Sequence, residues 1–88
     1  MKEKETIEKT KEYLIKQNIN FLTESLNYSY LKNGKLRNNE TKSIYIISFL
    51  RTYEDENFDN DLCFLFIDSK TDEFLYIMNS HGYIEIEK

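Results

Sequence analysis

Apolar positions along the chain change their period once, near residue 26, and the change separates a helical part from an extended part. Ile7, Thr10, Lys11, Leu14, Ile15 and Asn18 recur at i, i+3, i+4, i+7, i+8 and i+11, the spacing of one helix face. This predicts a helix over about 3–17, with Ile7, Leu14 and Ile15 as a narrow inward stripe flanked by long Lys and Glu side chains. Glu3, Glu5 and Glu8 near its start and Lys16 near its end suit the helix macrodipole, and Asn18 and Asn20 are its expected stop residues.

Beyond Leu26 the period is two, with Leu26, Tyr28 and Tyr30 on one face of a strand and Asn27 and Ser29 on the other. Lys32-Asn33-Gly34-Lys35 follows, and Asn-Gly there predicts a type I′ hairpin turn. The polar stretch Arg37 to Lys42 reads either as a loop or as a bulged continuation of the next strand, Ser43 to Tyr53. Further strands are expected at Leu62 to Ile67, Phe74 to Met78 and Tyr83 to Glu87, with turns at Asp68–Glu73 and Asn79–Gly82. The expectation is a single α+β domain over 1–88: one N-terminal helix packed on an antiparallel four- to five-stranded meander spanning about 26–87.

Tyr83-Ile-Glu-Ile-Glu87 alternates cleanly between apolar and acidic, as a half-exposed strand does. The three strands before it are apolar on both faces: Ile44, Ile46 and Leu50 oppose Tyr45, Ile47 and Phe49; Leu62, Phe64 and Phe66 oppose Cys63, Leu65 and Ile67; Phe74, Tyr76 and Met78 oppose Leu75 and Ile77. A helix of fifteen residues, roughly 22 Å long and about 10 Å wide, covers one face of such a sheet and not two. The second face needs a cover, either another chain, which includes a homodimer through that face, or Phe21, Leu22 and the Tyr28–Leu36 hairpin folded back over it.

Composition narrows the class. Hydrophobic residues are 40% and charged residues 32%, a globular balance. The chain has no Ala, Val, Trp or Pro and is rich in Ile, Asn, Lys and Tyr, which points to an AT-rich bacterial genome. Charges with no apolar run behind them open the sequence, and no stretch is long enough to span a bilayer, so a cytoplasmic protein is expected. Cys63 is the single cysteine, set among apolar residues and read as a buried thiol.

No catalytic, metal or cofactor site is expected. His81 lies in Ser80-His-Gly82, where a turn accounts for it, and one Cys with one His falls short of a zinc set. Glu54 to Asp61 lacks the central Gly and terminal Glu of a calcium loop. Charge is the remaining signal. Residues 1–42 hold nine Lys or Arg against six Glu, a surplus of +3, whereas residues 43–88 hold three against ten Asp or Glu, a surplus of −7. The acidic half is a poor partner for nucleic acid or anionic membrane and a good one for a basic protein surface. Within it, Tyr53, Glu54, Asp55, Glu56, Phe58, Asp59 and Asp61 combine aromatic rings with carboxylates and form the candidate partner-binding segment. A solvated loop is the other reading of the same residues.

Leu65-Phe-Ile-Asp-Ser-Lys-Thr-Asp-Glu-Phe-Leu75 resembles the strand-turn-strand apolar-apolar-Asp-x-Lys-Thr-Gly-Glu-apolar-apolar of small cystatin-like or PepSY-like helix-plus-sheet domains, with Asp72 where the Gly is expected. Several bacterial immunity proteins of toxin–immunity systems share that order of elements. The resemblance implies a non-catalytic binder, an immunity or inhibitor protein that occludes a basic toxin, nuclease or other enzyme. Two other readings stand beside it: a homo-oligomeric structural domain, and a small-ligand domain with a cavity lined by Tyr28, Tyr30, Tyr45 and Tyr76.

Overall fold

The computed structural model describes residues 2–36, 39–54, 59–79 and 82–85. In chain order these form α1 (Lys2–Lys16), a 3-10 turn (Thr23–Ser25), β1 (Asn27–Lys35), β2 (Thr41–Arg51), β3 (Asp61–Asp68), β4 (Phe74–Asn79) and β5 (Gly82–Glu85). The strands lie in one antiparallel sheet in the order β1-β2-β3-β4-β5, the expected meander with five strands. The domain is therefore α+β, with the helix on one face of the sheet.

Helix α1 does not pack through the stripe its periodicity suggests. Leu14 is fully buried, but Ile15 is 68% exposed, and the inward line is Thr6, Thr10 and Leu14, with Ile7 and Tyr13 half-buried at its sides. Thr10 Oγ1 donates to the Thr6 carbonyl at 2.8 Å, so its buried hydroxyl is satisfied within the helix. The helix ends where Asn18 adopts φ 59°. Asn18 N–H then bonds the Ile15 carbonyl at 3.1 Å and Ile19 N–H bonds the Leu14 carbonyl at 2.9 Å, the paired bonds of a Schellman cap with its Leu14–Ile19 apolar contact. That cap turns the chain so that Ile19 enters the core in the place expected for Ile15.

The helix-side core consists of Leu14, Tyr45, Ile47, Phe49, Cys63, Leu65, Ile67 and Ile77. Tyr13 meets Phe74 edge to face at 4.9 Å and Phe21 meets Phe49 at 6.3 Å, which locks the helix and the segment after it onto the sheet. Phe74 belongs here, not with Tyr76 and Met78. The register jumps from Phe66↔Tyr76 to Ile67↔Phe74, and the bulge moves Phe74 to the helix side while Leu75 packs with the opposite cluster.

The first hairpin also departs from expectation. Asn33 and Gly34 lie inside β1, which pairs as far as Lys35↔Thr41 with an irregularity between Leu31 and Gly34. The reversal comes later, where Leu36 N–H bonds the Glu40 carbonyl at 2.8 Å and Asn39 takes φ 69°. Gly34 is needed for space: a Cβ there would stand 2.6 Å from Ile44 Cδ1 and 2.7 Å from its Cγ1. Of the stretch left open as loop or strand, Thr41 and Lys42 are strand, Asn39 and Glu40 are not, and residues 37–38 lie outside the described residues.

Candidate protein-binding site

The two ends of the sheet differ in chemistry. At one end β2 runs out through Arg51, Thr52, Tyr53 and Glu54 towards the acidic connection, and β3 begins at Asp61. The segment after the helix is laid alongside: Thr52 N–H bonds the Asn20 carbonyl at 2.9 Å, Leu22 N–H bonds the Leu50 carbonyl at 3.0 Å, and Phe21 bridges to Arg51. These bonds extend the sheet edge past β1 and bring the helix C-terminus beside Glu54.

The result is an open cleft of about 680 Å³ lined by Ile15, Asn18, Ile19, Asn20, Phe21, Thr23 and Glu54. Its lining mixes the apolar Ile15, Ile19 and Phe21 with the amides Asn18 and Asn20, the hydroxyl residue Thr23 and the acidic Glu54. Ile15 faces solvent here because the Schellman cap turns the chain away after it. Sequence periodicity missed this group by counting Ile15 as core; the signal that could have found it is Leu14 followed five residues later by Ile19 across an Asn able to take positive φ.

The acidic residues singled out from sequence divide into three kinds. Tyr53 and Asp61 are brought together, with the Tyr53 hydroxyl donating to Asp61 Oδ2 at 2.5 Å, and the Arg51 guanidinium stands 5.1 Å from the Tyr53 ring centre. The Asp61 hydrogen bond, which favours the protonated phenol, raises the Tyr53 pKa above the ordinary tyrosine value. Arg51 and Asp61 are also registered partners on β2 and β3, so the three side chains brace the neck of the β2–β3 connection. Glu54 and Asp59 are exposed, Glu54 at the cleft wall. Asp55, Glu56 and Phe58 lie outside the described residues, as do Ser80 and His81.

Other chemistry is confined. Cys63 is buried at the base of the same end, and burial pushes its thiol above the usual value, away from the reactive thiolate. Among the described residues no group of three His, Cys, Asp or Glu is placed to hold a metal ion, and no helix is long and apolar enough to cross a membrane. The four tyrosines expected to line one ligand cavity do not share a face. Tyr28 and Tyr30 lie tilted against Tyr45 on the helix side, at 5.4 and 5.7 Å, whereas Tyr76 stacks on Phe66 on the opposite face, at 4.7 Å. A strand's alternation forces this, since the register Tyr76↔Phe66↔Ile46 sets Tyr76 one position out of phase with Tyr45.

At the opposite end, Asp68 closes the turn into β4. Its carboxylate accepts from the backbone N–H of Lys70 at 2.9 Å and of Thr71 at 3.4 Å, and Lys42 Nζ lies 3.3 Å away. Asp72 fills the position of the expected glycine with φ 61°, a conformation that Asp tolerates better than most residues.

Compared with known proteins, the chain matches no family model, no curated protein and no solved structure. Fold and site define its class: an α+β domain with one helix on a five-stranded antiparallel meander and an acid-walled cleft at the helix C-terminus.

Proposed function

We propose that the protein is a non-catalytic protein-binding domain, an immunity or inhibitor protein that occludes a basic toxin, nuclease or other enzyme. The observation that carries the reading is the juxtaposition of an exposed Ile15 and half-buried Ile19 and Phe21 with the Glu54 carboxylate in one open cleft. Apolar area gives a complex its dwell time and carboxylates select for Lys and Arg, so the cleft suits a partner segment in which a basic residue adjoins an apolar one. The surplus of −7 in the C-terminal half supports the same sign of partner, because it speeds encounter with a basic surface. The cystatin-like order of elements and the motif ending at Leu75 bring the immunity role into view.

The test is kinetic. The partner is isolated on the full chain, and its association and dissociation rates are measured at low and at physiological salt against Glu54→Gln with Asp59→Asn, and separately against Ile15→Lys. The charge variant is expected to slow association on the order of tenfold at low salt, and Ile15→Lys to speed dissociation by a similar factor. Unchanged rates in both would sink the assignment of this cleft.

A further inference from the structure

Beside the cleft the outer edge of the sheet is interrupted. β1 pairs with β2 as far as Asn27↔Ser48. Continued by three residues, that register would set Glu24 opposite Arg51, but the residue bridged to Arg51 is Phe21. Three residues have been taken out of the edge, and they are the 3-10 turn Thr23–Ser25. Phe21 before this excursion and Leu26 after it both pack against the helix-side core, which anchors the chain on either side. Between the anchors Thr23 and Glu24 are exposed, and Thr23 lines the cleft together with Asn20 and Phe21.

The Ser25 side chain ties the excursion back to the sheet. The interrupted register would put Ser25 opposite Leu50, whose backbone N–H and C=O both turn towards this edge. The Leu50 carbonyl accepts the N–H of Leu22 at 3.0 Å. The Leu50 N–H has lost its strand acceptor to the excursion, and the Ser25 hydroxyl replaces it, accepting at 2.8 Å. Ser25 Oγ in turn donates to the Leu22 carbonyl at 2.6 Å, which also takes the Ser25 N–H at 3.0 Å. A hydroxyl suits this place because it accepts from the strand and donates to the turn at the same time.

We propose that Ser25 is a positioning residue of the cleft: its hydroxyl fixes the excursion that forms the Thr23 side and so keeps the cleft in the shape that accepts a basic and apolar segment. This role rests on the protein-binding reading of the cleft given above. The other parts of the lining are held by other means. Ile15, Asn18 and Ile19 are set by the helix and its Schellman cap, and the chain at Asn20 and Leu22 is bonded through its backbone to Thr52 and Leu50. Thr23 lies beyond the last of these backbone bonds, so its place depends on how the excursion is tied down. A wall held in position before the partner arrives removes an ordering cost that would otherwise be subtracted from affinity. Ser25 is half-buried and absent from the lining, and acts through Leu22 and Leu50.

Amide spectra of the full chain, titrated with the N-acetylated, amidated tetrapeptide Arg-Leu-Arg-Leu, test this. Wild type is expected to show saturable shifts at Ile15, Ile19, Phe21 and Thr23. Ser25→Ala should raise the peptide dissociation constant on the order of fivefold, and Ser25→Thr, which keeps the hydroxyl, should recover most of the loss. The constants are read on resonances of folded molecules, so a loss of stability alone does not move them. The Leu50 amide should exchange with solvent faster in Ser25→Ala than in wild type or Ser25→Thr. A constant unchanged by Ser25→Ala but weakened by Ile15→Lys overturns the positioning role and leaves the cleft reading standing. A Ser25→Thr variant as weak as Ser25→Ala overturns it too, because the hydroxyl would not be the group that matters. Wild type without shifts at the cleft, or constants indifferent to both Ser25→Ala and Ile15→Lys, overturns the cleft reading and this role with it.

Discussion

Gly34 and Ile44 meet with no room for a methyl group between them: a Cβ on Gly34 would lie 2.6 Å from Ile44 Cδ1 and 2.7 Å from Cγ1. Ile44 is fully buried and cannot swing aside. Gly34→Ala is therefore expected to cost about 1–3 kcal/mol by overpacking, read from urea denaturation. Adding Ile44→Val removes the nearer of the two clashing atoms and should recover part of the loss, a coupling that a double-mutant cycle measures.

Neighbouring residues Leu14 and Ile15 should behave oppositely. Leu14→Ala opens a cavity in the helix-side core and is expected to cost about 2–5 kcal/mol. Ile15→Ala, at an exposed position, should change stability by less than about 0.5 kcal/mol. Equal costs in thermal or chemical melts would contradict the Schellman-capped geometry.

Asp68 links stability to acid. The backbone N–H of Lys70, then Lys42 and the N–H of Thr71, hold its carboxyl below the usual aspartate value against the opposing effect of burial. A group with a depressed folded pKa contributes stability that is fully present above its unfolded pKa, about 3.9, and is lost as pH falls through the folded value. Asp68→Asn should lower stability at neutral pH by roughly 1–3 kcal/mol and flatten the acid limb of a stability–pH curve. An acid limb unchanged by the substitution would assign it to other carboxylates.

Tyr53 gives the opposite sign in alkali. Its folded pKa is raised, first by the hydrogen bond to Asp61, so the contribution of that bond is present below the unfolded pKa, about 10, and is lost as pH rises through the folded value. Asp61→Asn removes the carboxylate and should bring the Tyr53 titration down towards the ordinary value, followed by the phenolate absorbance of wild type against variant, with Tyr53→Phe identifying the component.

Asp72 occupies the left-handed region at φ 61°. Asp72→Gly and Asp72→Asn should leave stability within about 0.5 kcal/mol, since both adopt this conformation readily, whereas Asp72→Val should cost about 1–2 kcal/mol. The Lys9 ion pair at 3.9 Å contributes little at a partly exposed site and does not alter that order.

Periodicity and the short turns between periodic segments determined one helix and an antiparallel meander of four to five strands, because a period of two or of 3.6 is imposed by the backbone of each element. It also determined that three strands are apolar on both faces, and that Cys63 is buried. Tertiary structure decided what local pattern leaves degenerate. Gly34 has the sequence of a turn, Asn-Gly, but packs as a strand residue, since contact with Ile44 outweighs a turn preference worth little by itself. Phe74 changed faces because one bulge against Ile67 inverts alternation beyond it, and alternation carries no memory of bulges. Ile15 and Ile19 exchanged roles because the Asn18 cap, a backbone conformation and not a side-chain pattern, chose which of them meets the sheet. Of the acidic segment, the charge was legible in the sequence; that Tyr53 and Asp61 brace its neck while Glu54 walls a cleft with Ile15 was not, because those residues lie far apart in the chain and only the pairing of β2 with β3 and with the segment after the helix brings them together.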